Sequence, residues 1–437
     1  MLFLFIRTIP TSGNRFRRKF LGDEDKAYNR ATNLTANVKL MPDTLTTLLE
    51  RHKPGFALEQ AFYTSPEVFQ QDLDRVFFRS WLYAGHVSQI PEPGAFILFE
   101  MAGESVIVVR GAEGNINALI NVCRHRGSRV CAQAQGTARS FVCPYHGWTY
   151  DLEGNLRATR HMPEDFDKTS HGLKRMHATV VHGFILVNFA EDPVSLSGLK
   201  SDLDECLEPY GLDRAKIAHY QRYPIKANWK LMVENFIECY HCATAHREYS
   251  KSHSRQAPEA KAAELRAAMM ARAETVGLSR KSIDRFGSRA ESGEQYFYDR
   301  YPLYPGYKTG SEDGKPVAPL MGKIKDYDGG AADFQVGPVC YFLAYPDYTV
   351  VYRFTPQGVQ QTDCDIFWLV SEKAKEGRDY DLERLTWLWR VTTEADKAIV
   401  DRNQQGVNSR YYQPGPYSQM ERFVTQYSEW YLNRLRG

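Results

Sequence analysis

The chain contains two short motifs that each combine one cysteine with one histidine. Cys123 is followed two residues later by His125, and Cys143 is followed three residues later by His146. Glycines close to each pair allow tight turns, so each pair can offer one thiolate and one imidazole from a short loop. Two such loops facing each other would supply two sulfur and two nitrogen ligands to a metal centre.

The order of these ligands favours one kind of metal centre. A Rieske [2Fe–2S] cluster holds one iron with two Cys and the other with two His, which suits loops that each mix the two residue types. A Cys₂His₂ zinc site is the alternative, although zinc fingers usually pair Cys with Cys and His with His along the sequence. Four unrelated core residues are the second alternative. Trp148 can shield a cluster, and Cys131 is out of register and is expected to be a packed thiol.

A second candidate site lies in the segment 228–246, whose apolar positions predict a mostly buried helix. Glu238 and His241 are three residues apart and share a helix face. His241 and His246 are five apart, about 140° around an ideal helix. They can bind one metal only if the helix bulges or ends between them, as helices often do at functional sites. The alternative is that both histidines are core residues whose ring nitrogens are hydrogen-bonded within the protein.

A carboxylate on the last predicted helix, residues 379–405, completes this set. Asp396 lies in the middle of a largely apolar stripe, whereas Asp401 points off it. A lone buried carboxylate is costly, but a metal-bound one is not. The sequence therefore predicts a 2-His-1-carboxylate site of the kind that holds Fe(II) in oxygenases that activate O₂. Gly406 is expected to end this helix as its C′ residue.

The elements around these residues predict an α+β protein with two domains. A small all-β module with strands and glycine turns is expected over 81–189, and antiparallel strands with long helices, a helix-grip-type arrangement, are expected behind it. The predicted organisation is a loose tail (1–40), N-terminal helices with the β module (41–192) and a catalytic domain (193–437). The finer expectations are helices over 42–51 and 65–80, the latter capped by Ser65, an Ala-rich helix over 257–272, and two long aromatic strands over 338–356 and 362–370. The Ala-rich helix is interpreted as a solvated insertion or, alternatively, as a docking face for an acidic redox partner.

Composition excludes several classes of protein. The formal charge of +2 argues against a dedicated nucleic-acid or anionic-membrane binder. No stretch reaches the roughly 18 apolar residues of a membrane-spanning helix. Eight Cys in 437 residues do not make a disulfide scaffold, so we expect a reducing, cytoplasmic setting with a few thiols used for metal.

Both motifs together resemble the large (alpha) subunits of Rieske non-heme iron oxygenases, from about Phe56 to the C-terminus. The resemblance implies that Cys123, His125, Cys143 and His146 hold the cluster, and that His241, His246 and Asp396 hold the mononuclear Fe(II). Asp396, Asp401, Gln404 and Gly406 fit the spacing of the family's C-terminal motif. An electron-transfer Rieske protein without catalysis is a less favoured alternative, because such a protein needs no second iron site, whereas this sequence predicts one.

The resemblance also implies an electron route. The family forms head-to-tail trimers, and the acid that precedes the first iron histidine by three residues, here Glu238, bridges to a cluster histidine of the neighbouring subunit. The chain has neither a dinucleotide-binding Gly fingerprint nor a ferredoxin Cys run, so NAD(P)H would be oxidised by a separate flavin and [2Fe–2S] reductase.

Within the family, the sequence looks most like the glycine-betaine, choline and carnitine group. The segments Val-Glu-Asn-Phe-Ile-Glu-Cys-Tyr-His-Cys and Tyr-Gln-Pro-Gly-Pro-Tyr carry this resemblance, together with Glu rather than Asp at position 238. It implies a monooxygenase that demethylates a quaternary ammonium compound and releases formaldehyde; the alternative is an aromatic-ring-hydroxylating dioxygenase. Aromatic faces bind such cations, and the candidate substrate residues are Tyr341, Tyr345, Tyr348 and Tyr352, with core packing as their alternative role.

Overall fold

The computed structural model describes residues 44–284 and 295–437. The predicted tail over 1–40 lies outside these residues. Ten α-helices occur within them: α1 (Leu45–Arg51), α2 (Gln60–Thr64), α3 (Pro66–Arg75), α4 (Ser197–Leu207), α5 (Trp229–Phe236), α6 (Cys242–Ala245), α7 (Arg247–Ser252), α8 (Glu259–Val276), α9 (Leu382–Val407) and α10 (Arg422–Arg436). None of these is long and apolar enough to cross a membrane.

The β module predicted over 81–189 consists of two antiparallel sheets. A seven-stranded sheet has the order β1-β10-β9-β4-β3-β2-β5, and a small sheet has the order β6-β7-β8. The strands are β1 (Leu82–His86), β2 (Ala95–Met101), β3 (Glu104–Arg110), β4 (Ile116–Ile120), β5 (Gln135–Thr137), β6 (Phe141–Val142), β7 (Thr149–Tyr150), β8 (Leu156–Ala158), β9 (Arg175–Val181) and β10 (Phe184–Asn188). The first Cys/His loop follows β4, and the second connects β6 to β7.

The second part of the chain is built on a six-stranded antiparallel sheet of order β11-β16-β15-β14-β13-β12. Its strands are β11 (Ala215–Ile225), β12 (Tyr296–Pro302), β13 (Gly330–Val336), β14 (Cys340–Ala344), β15 (Thr349–Gly358) and β16 (Gln361–Ser371). The long helix α9 packs against α5 and α7, which places the two segments of the second candidate site side by side. An antiparallel sheet with long helices confirms the α+β prediction. The predicted boundary at 192/193 falls between β10 and α4 and stays a prediction.

Local sequence signals predicted the start of α3 correctly, whereas α2 was not predicted. The Ser65 hydroxyl accepts hydrogen bonds from the backbone N–H groups of Glu67 and Val68, so Ser65 is the predicted N-cap of α3. The α-helix ends at Arg75, and a 3₁₀ turn over Phe77–Arg79 continues it. The Ala-rich segment is helical as predicted, over Glu259–Val276.

Three predictions in the second half of the chain were wrong in detail. Residues 338–356 do not form one strand, because the chain reverses at 345–348 and the segment becomes the hairpin β14–β15. Helix α9 does not end before Gly406 but includes it and runs to Val407, because Gly406 keeps helical backbone and the cap is Asn408, whose N–H bonds the carbonyls of Gln404 and Gly406. The segment 228–246 is not one helix, since α5 ends at Phe236.

Candidate metal centres and active-site cavity

The two Cys/His loops of the β module have the same backbone construction. In each loop a glycine N–H, of Gly127 or Gly147, donates to the carbonyl of the cysteine four residues earlier, at 2.9 and 3.0 Å. Both glycines have positive φ, 78° and 73°, which a residue with a Cβ adopts at a cost. The loops are therefore a matched pair that projects equivalent side chains.

The four side chains of these loops divide into a buried and an outer pair. Cys123 and Cys143 are 3% and 2% exposed, whereas His125 is exposed and His146 half-buried. The Nδ1 atoms of the two histidines lie 3.1 Å apart, so that both nitrogens point to one position. A buried thiolate pair and an outer imidazole pair fit the two-iron ligand set of a Rieske cluster.

Neighbouring side chains hold this arrangement in place. The indole of Trp148 stacks on the ring of His125, with centroids 4.9 Å apart and 10° between the planes. The hydroxyl of Tyr150 lies 3.3 Å from Sγ of Cys123 and accepts the backbone N–H of Arg124 at 3.0 Å. The thiol of Cys131 contacts the carbonyl of Gln133 instead, in line with its predicted role as a packed thiol.

The second candidate site forms where the helix breaks. After α5 ends, His241 occupies the N-cap of the short helix α6, and His246 lies at the junction of α6 with α7. The break brings the two Nε2 atoms to 3.1 Å from each other, which a continuous helix cannot do. The requirement that the helix bulge or end between the two histidines is met.

Asp396 reaches this point from α9. Its Oδ1 lies 2.8 Å from Nε2 of His246 and 3.4 Å from Nε2 of His241. Ligand atoms of all three residues lie within 4.8 Å of one another, and no other such group occurs in the part of the chain that the structure describes. Two imidazoles and one carboxylate fit an Fe(II) site with open positions.

The electrostatics of the three groups favour a cation. Burial raises the pKa of Asp396, but hydrogen bonds with His241 and His246 outweigh burial and hold the pKa below its usual value. Burial lowers the pKa of His241, whereas Asp396 and Glu238 raise it, to about 9 overall. The carboxylates of Asp396 and Glu238 therefore stabilise positive charge at this point.

Glu238 binds the outer nitrogen of the first histidine. Its Oε1 lies 2.5 Å from Nδ1 of His241, and its other oxygen accepts the backbone N–H of Tyr240. A carboxylate on Nδ1 fixes the ring orientation and leaves Nε2 for a metal. The Glu238 side chain is 10% exposed, so part of it can still be reached from outside the chain.

A disulfide bond between Cys239 and Cys242 was missed by the sequence prediction, which assigned the cysteines to metal sites or free thiols. The signal that could have found it is the Cys-x-x-Cys spacing at 239–242. The bond crosslinks the turn that carries Glu238 and His241. None of the other six cysteines forms a disulfide, which agrees with the prediction that the chain is not a disulfide scaffold.

A cavity with about 500 Å³ of empty space, part of it open to solvent, lies beside the three ligand residues. Four aromatic side chains contribute to its wall: Phe236, Tyr249, Tyr301 and Trp389. Its polar lining comes from Asn235, Arg255, Asp333 and Thr392, besides Glu238 and the candidate ligands. The chemistry of these walls suits a small, largely apolar ligand with one or two charges.

The four tyrosines predicted to contact substrate do not line this cavity. Tyr341, Tyr345, Tyr348 and Tyr352 are at most 2% exposed, and protein atoms bind their hydroxyls. They support the wall instead: the rings of Tyr341 and Tyr352 pack on Phe236 at 4.8 and 5.0 Å. The hydroxyl of Tyr348 accepts the indole N–H of Trp389 at 3.1 Å. The hairpin β14–β15 thus lines the cavity through Leu343, while its four tyrosines lie behind the residues that form the wall.

The other residues of the C-terminal motif tie α9 to α5. The Asp401 carboxylate accepts the backbone N–H of Lys226 at 2.8 Å and binds Lys397 at 2.6 Å. Oε1 of Gln404 accepts the N–H of Asn228 at 2.8 Å, and Asn228 is itself the N-cap of α5. These bonds join the C-terminal half of α9 to the start of α5, and none of them involves the three candidate iron ligands.

Comparison with known proteins agrees with both halves of the molecule. Residues 80–177 match the Rieske [2Fe-2S] domain, and residues 212–437 match the catalytic domain of the ring hydroxylating alpha subunit. The chain is 37% identical over 401 residues to the glycine betaine monooxygenase oxygenase subunit of Chromohalobacter salexigens, covering 90% of this chain and 89% of that protein. It is 30% identical to the carnitine monooxygenase oxygenase subunit of Acinetobacter pittii, over 82% of this chain and 87% of that one. A crystal structure of a quaternary ammonium Rieske monooxygenase with L-carnitine has the same fold, with a TM-score of 0.64, 21% identity, and coverage of 89% of this chain and 97% of that one.

Proposed function

The chain belongs to the Rieske non-heme iron oxygenases, and on that premise we propose that it hydroxylates an N-methyl carbon of a quaternary ammonium compound, with glycine betaine as the first candidate. It is the oxygenase component of such an enzyme, with a [2Fe–2S] cluster and a mononuclear iron as cofactors. Electrons from a reductase and O₂ are the co-substrates.

The proposed ligands follow from the geometry above. Cys123 and Cys143 hold one iron of the cluster, and His125 and His146 hold the other. His241, His246 and Asp396 hold the mononuclear Fe(II). When bound, the cluster supplies single electrons and the Fe(II) activates O₂.

We assign Glu238 as the bridge between one subunit and the next. Its carboxylate holds Nδ1 of His241 and is partly exposed, while His125 at the outer edge of the cluster site is exposed as well. The partly accessible carboxylate and the exposed imidazole are available for contact between neighbouring chains of a head-to-tail trimer. A separate flavin and [2Fe–2S] reductase that uses NAD(P)H completes the proposal. A cytoplasmic location stays a prediction.

The aromatic wall beside the three iron ligands carries the substrate assignment. Tyr249, Tyr301 and Trp389 are 9%, 5% and 4% exposed, so their faces are largely shielded from water. A trimethylammonium group gains about 0.5–2 kcal/mol from each such face, more as it is desolvated. Phe236 completes the wall next to Glu238 and His241. A substrate held here presents its methyl groups to the iron site.

The reaction balances with O₂, two protons from water and the two electrons that the reductase supplies. O₂, two electrons and two protons convert one N–CH₃ group to N–CH₂OH and one water. The carbinol then loses its hydroxyl proton as the C–N bond breaks, which releases formaldehyde and leaves a tertiary amine. The wall residues hold the cation and exclude water during this step, while Glu238 keeps the His241 ring in position.

Binding of the charge can be tested with a matched pair of ligands. Glycine betaine and 3,3-dimethylbutanoate have the same shape, but a carbon replaces the quaternary nitrogen in the second. Several aromatic faces acting together predict a loss of about 30- to 1000-fold in affinity for 3,3-dimethylbutanoate, whose tert-butyl group is uncharged. Calorimetric titration of the iron-loaded enzyme without O₂ measures both dissociation constants.

Equal affinity for glycine betaine and 3,3-dimethylbutanoate would contradict the assignment. Turnover with benzoate-type acids alone would do the same, and would favour the alternative, an aromatic-ring-hydroxylating dioxygenase. Oxygen uptake over a panel of betaines and aromatic acids, with a surrogate reductase, separates these outcomes.

A further inference from the structure

Two charged residues stand between the active-site cavity and a second, outer cavity. The outer cavity has about 1210 Å³ of space, much of it open to solvent, and is lined by residues of β12, β13 and α10 among others. Of the residues described as lining the two cavities, Arg255 and Asp333 alone belong to both. They therefore border both the outer space and the cavity beside the iron site.

The Arg255 guanidinium is held loosely by its neighbours. Its Nη1 lies 3.6 Å from Oδ2 of Asp333, and its side chain is 24% exposed. The group lies over the ring of Tyr301, 4.9 Å from the centroid. Within residues 44–284 and 295–437 it forms this one ion pair, at a distance beyond a hydrogen bond, and donates no side-chain hydrogen bond. A guanidinium has five N–H donors in a planar fork that matches a carboxylate.

The backbone around Arg255 is held by hydrogen bonds on both sides. The lack of hydrogen bonds from the Arg255 guanidinium is therefore not explained by a poorly packed loop. Arg255 is in a 3₁₀ turn over Ser254–Gln256. The Ser254 hydroxyl donates to the carbonyl of Pro302 at 2.6 Å, and the Gln256 amide donates to the carbonyl of Cys239. One end of the turn is thus tied to β12 and the other to the segment that carries Glu238.

We propose that Arg255 binds the carboxylate of a zwitterionic substrate whose quaternary nitrogen lies against the aromatic wall. This inference rests on the proposed function and narrows it from quaternary ammonium compounds in general to betaines. The Arg255–Asp333 pair is neutral as a whole, so it suits a zwitterion. A simple cation such as choline has no carboxylate to accept hydrogen bonds from the Arg255 guanidinium, so it gains nothing from this residue.

A bidentate contact between guanidinium and carboxylate sets the expected size of the effect. Charge-assisted hydrogen bonds of this kind predict that Arg255→Gln weakens binding of glycine betaine by roughly 10- to 150-fold. The methyl ester of glycine betaine keeps the trimethylammonium group but has no carboxylate charge. Its affinity should change by less than about threefold in the same variant, because the ester has no carboxylate that could accept a bidentate hydrogen bond from Arg255.

The experiment is calorimetric titration of the iron-loaded enzyme with both ligands in the absence of O₂. Arg255→Lys, which keeps the charge but not the planar fork, should lie between wild type and Arg255→Gln for glycine betaine. Arg378→Gln is the matched control, because Arg378 forms an exposed ion pair with Asp379 outside both cavities. It should leave both affinities unchanged.

The outcomes distinguish this inference from the function on which it rests. Wild-type enzyme that binds neither glycine betaine nor its ester overturns both. If wild-type enzyme binds glycine betaine and Arg255→Gln binds it equally well, only the role of Arg255 is wrong. An equal loss for acid and ester means that the ion pair with Asp333 merely shapes the cavity, and also overturns the role.

Discussion

Asp396→Ala will lower the iron content from about three atoms per chain to about two, because the cluster holds two irons in its own domain. Turnover should fall at least about 1000-fold, equivalent to about 4 kcal/mol of activation free energy. The reason is geometric: Asp396 Oδ1 lies 2.8 Å from Nε2 of His246 and supplies the one carboxylate among the three converging ligands. Iron analysis, the visible absorption of the cluster and coupled O₂ uptake measure the three parts of this prediction.

Asp401→Ala is the matched control for that variant. Asp401 is on the same helix five residues later, and its carboxylate binds Lys226 and Lys397 rather than the histidines. The iron content of this variant should equal that of wild type. Full mononuclear iron in Asp396→Ala, or its loss in Asp401→Ala, would show that the third ligand is misassigned.

The second large effect concerns Glu238. Glu238→Gln keeps the size of the side chain but removes the negative charge that holds Nδ1 of His241. Both metal centres should stay loaded, and reduction of the cluster by the reductase should be unchanged. Coupled turnover and reoxidation of the cluster with substrate and O₂ should slow by about 100-fold, as expected for an outer partner of a metal ligand.

Glu238→Asp separates a bridge from a simple packing residue. It retains the carboxylate and should recover part of the reoxidation rate, measured by stopped-flow absorption of the cluster. If Glu238→Gln loses the mononuclear iron instead, Glu238 is a ligand and not a bridge. Unchanged reoxidation in Glu238→Gln would mean that electrons take another route.

Motifs with short, fixed spacing could be predicted from the sequence because local geometry determines what they do. Cys123, His125, Cys143 and His146 lie on two tight loops, and the backbone of each loop depends on the glycine that follows. The five-residue spacing of His241 and His246 required a break in the helix, and the chain provides one. The position of Asp396 followed from the apolar periodicity of α9.

The substrate wall could not be predicted in the same way. Tyr345 and Tyr348 lie in a segment rich in aromatic residues, which makes them candidates for binding a cation. Whether they line the cavity or lie behind its wall depends on tertiary packing, which the local sequence does not determine. Tyr249, Tyr301 and Trp389 come from α7, β12 and α9, which are far apart in the sequence and meet only in the folded chain. The same applies to Arg255 and Asp333, whose pairing joins a 3₁₀ turn to β13.

The central claim is oxidative N-demethylation, and the most direct measurement is the ratio of formaldehyde formed to O₂ consumed with glycine betaine. The assay uses the iron-loaded enzyme, NADH or NADPH and a surrogate reductase, with catalase present to return O₂ from any peroxide. The account predicts about one formaldehyde and one dimethylated amine for each O₂, because one oxygen atom enters a single N-methyl group and the other becomes water. O₂ consumption without formaldehyde, or a dihydroxylated product from an aromatic acid in its place, would contradict it.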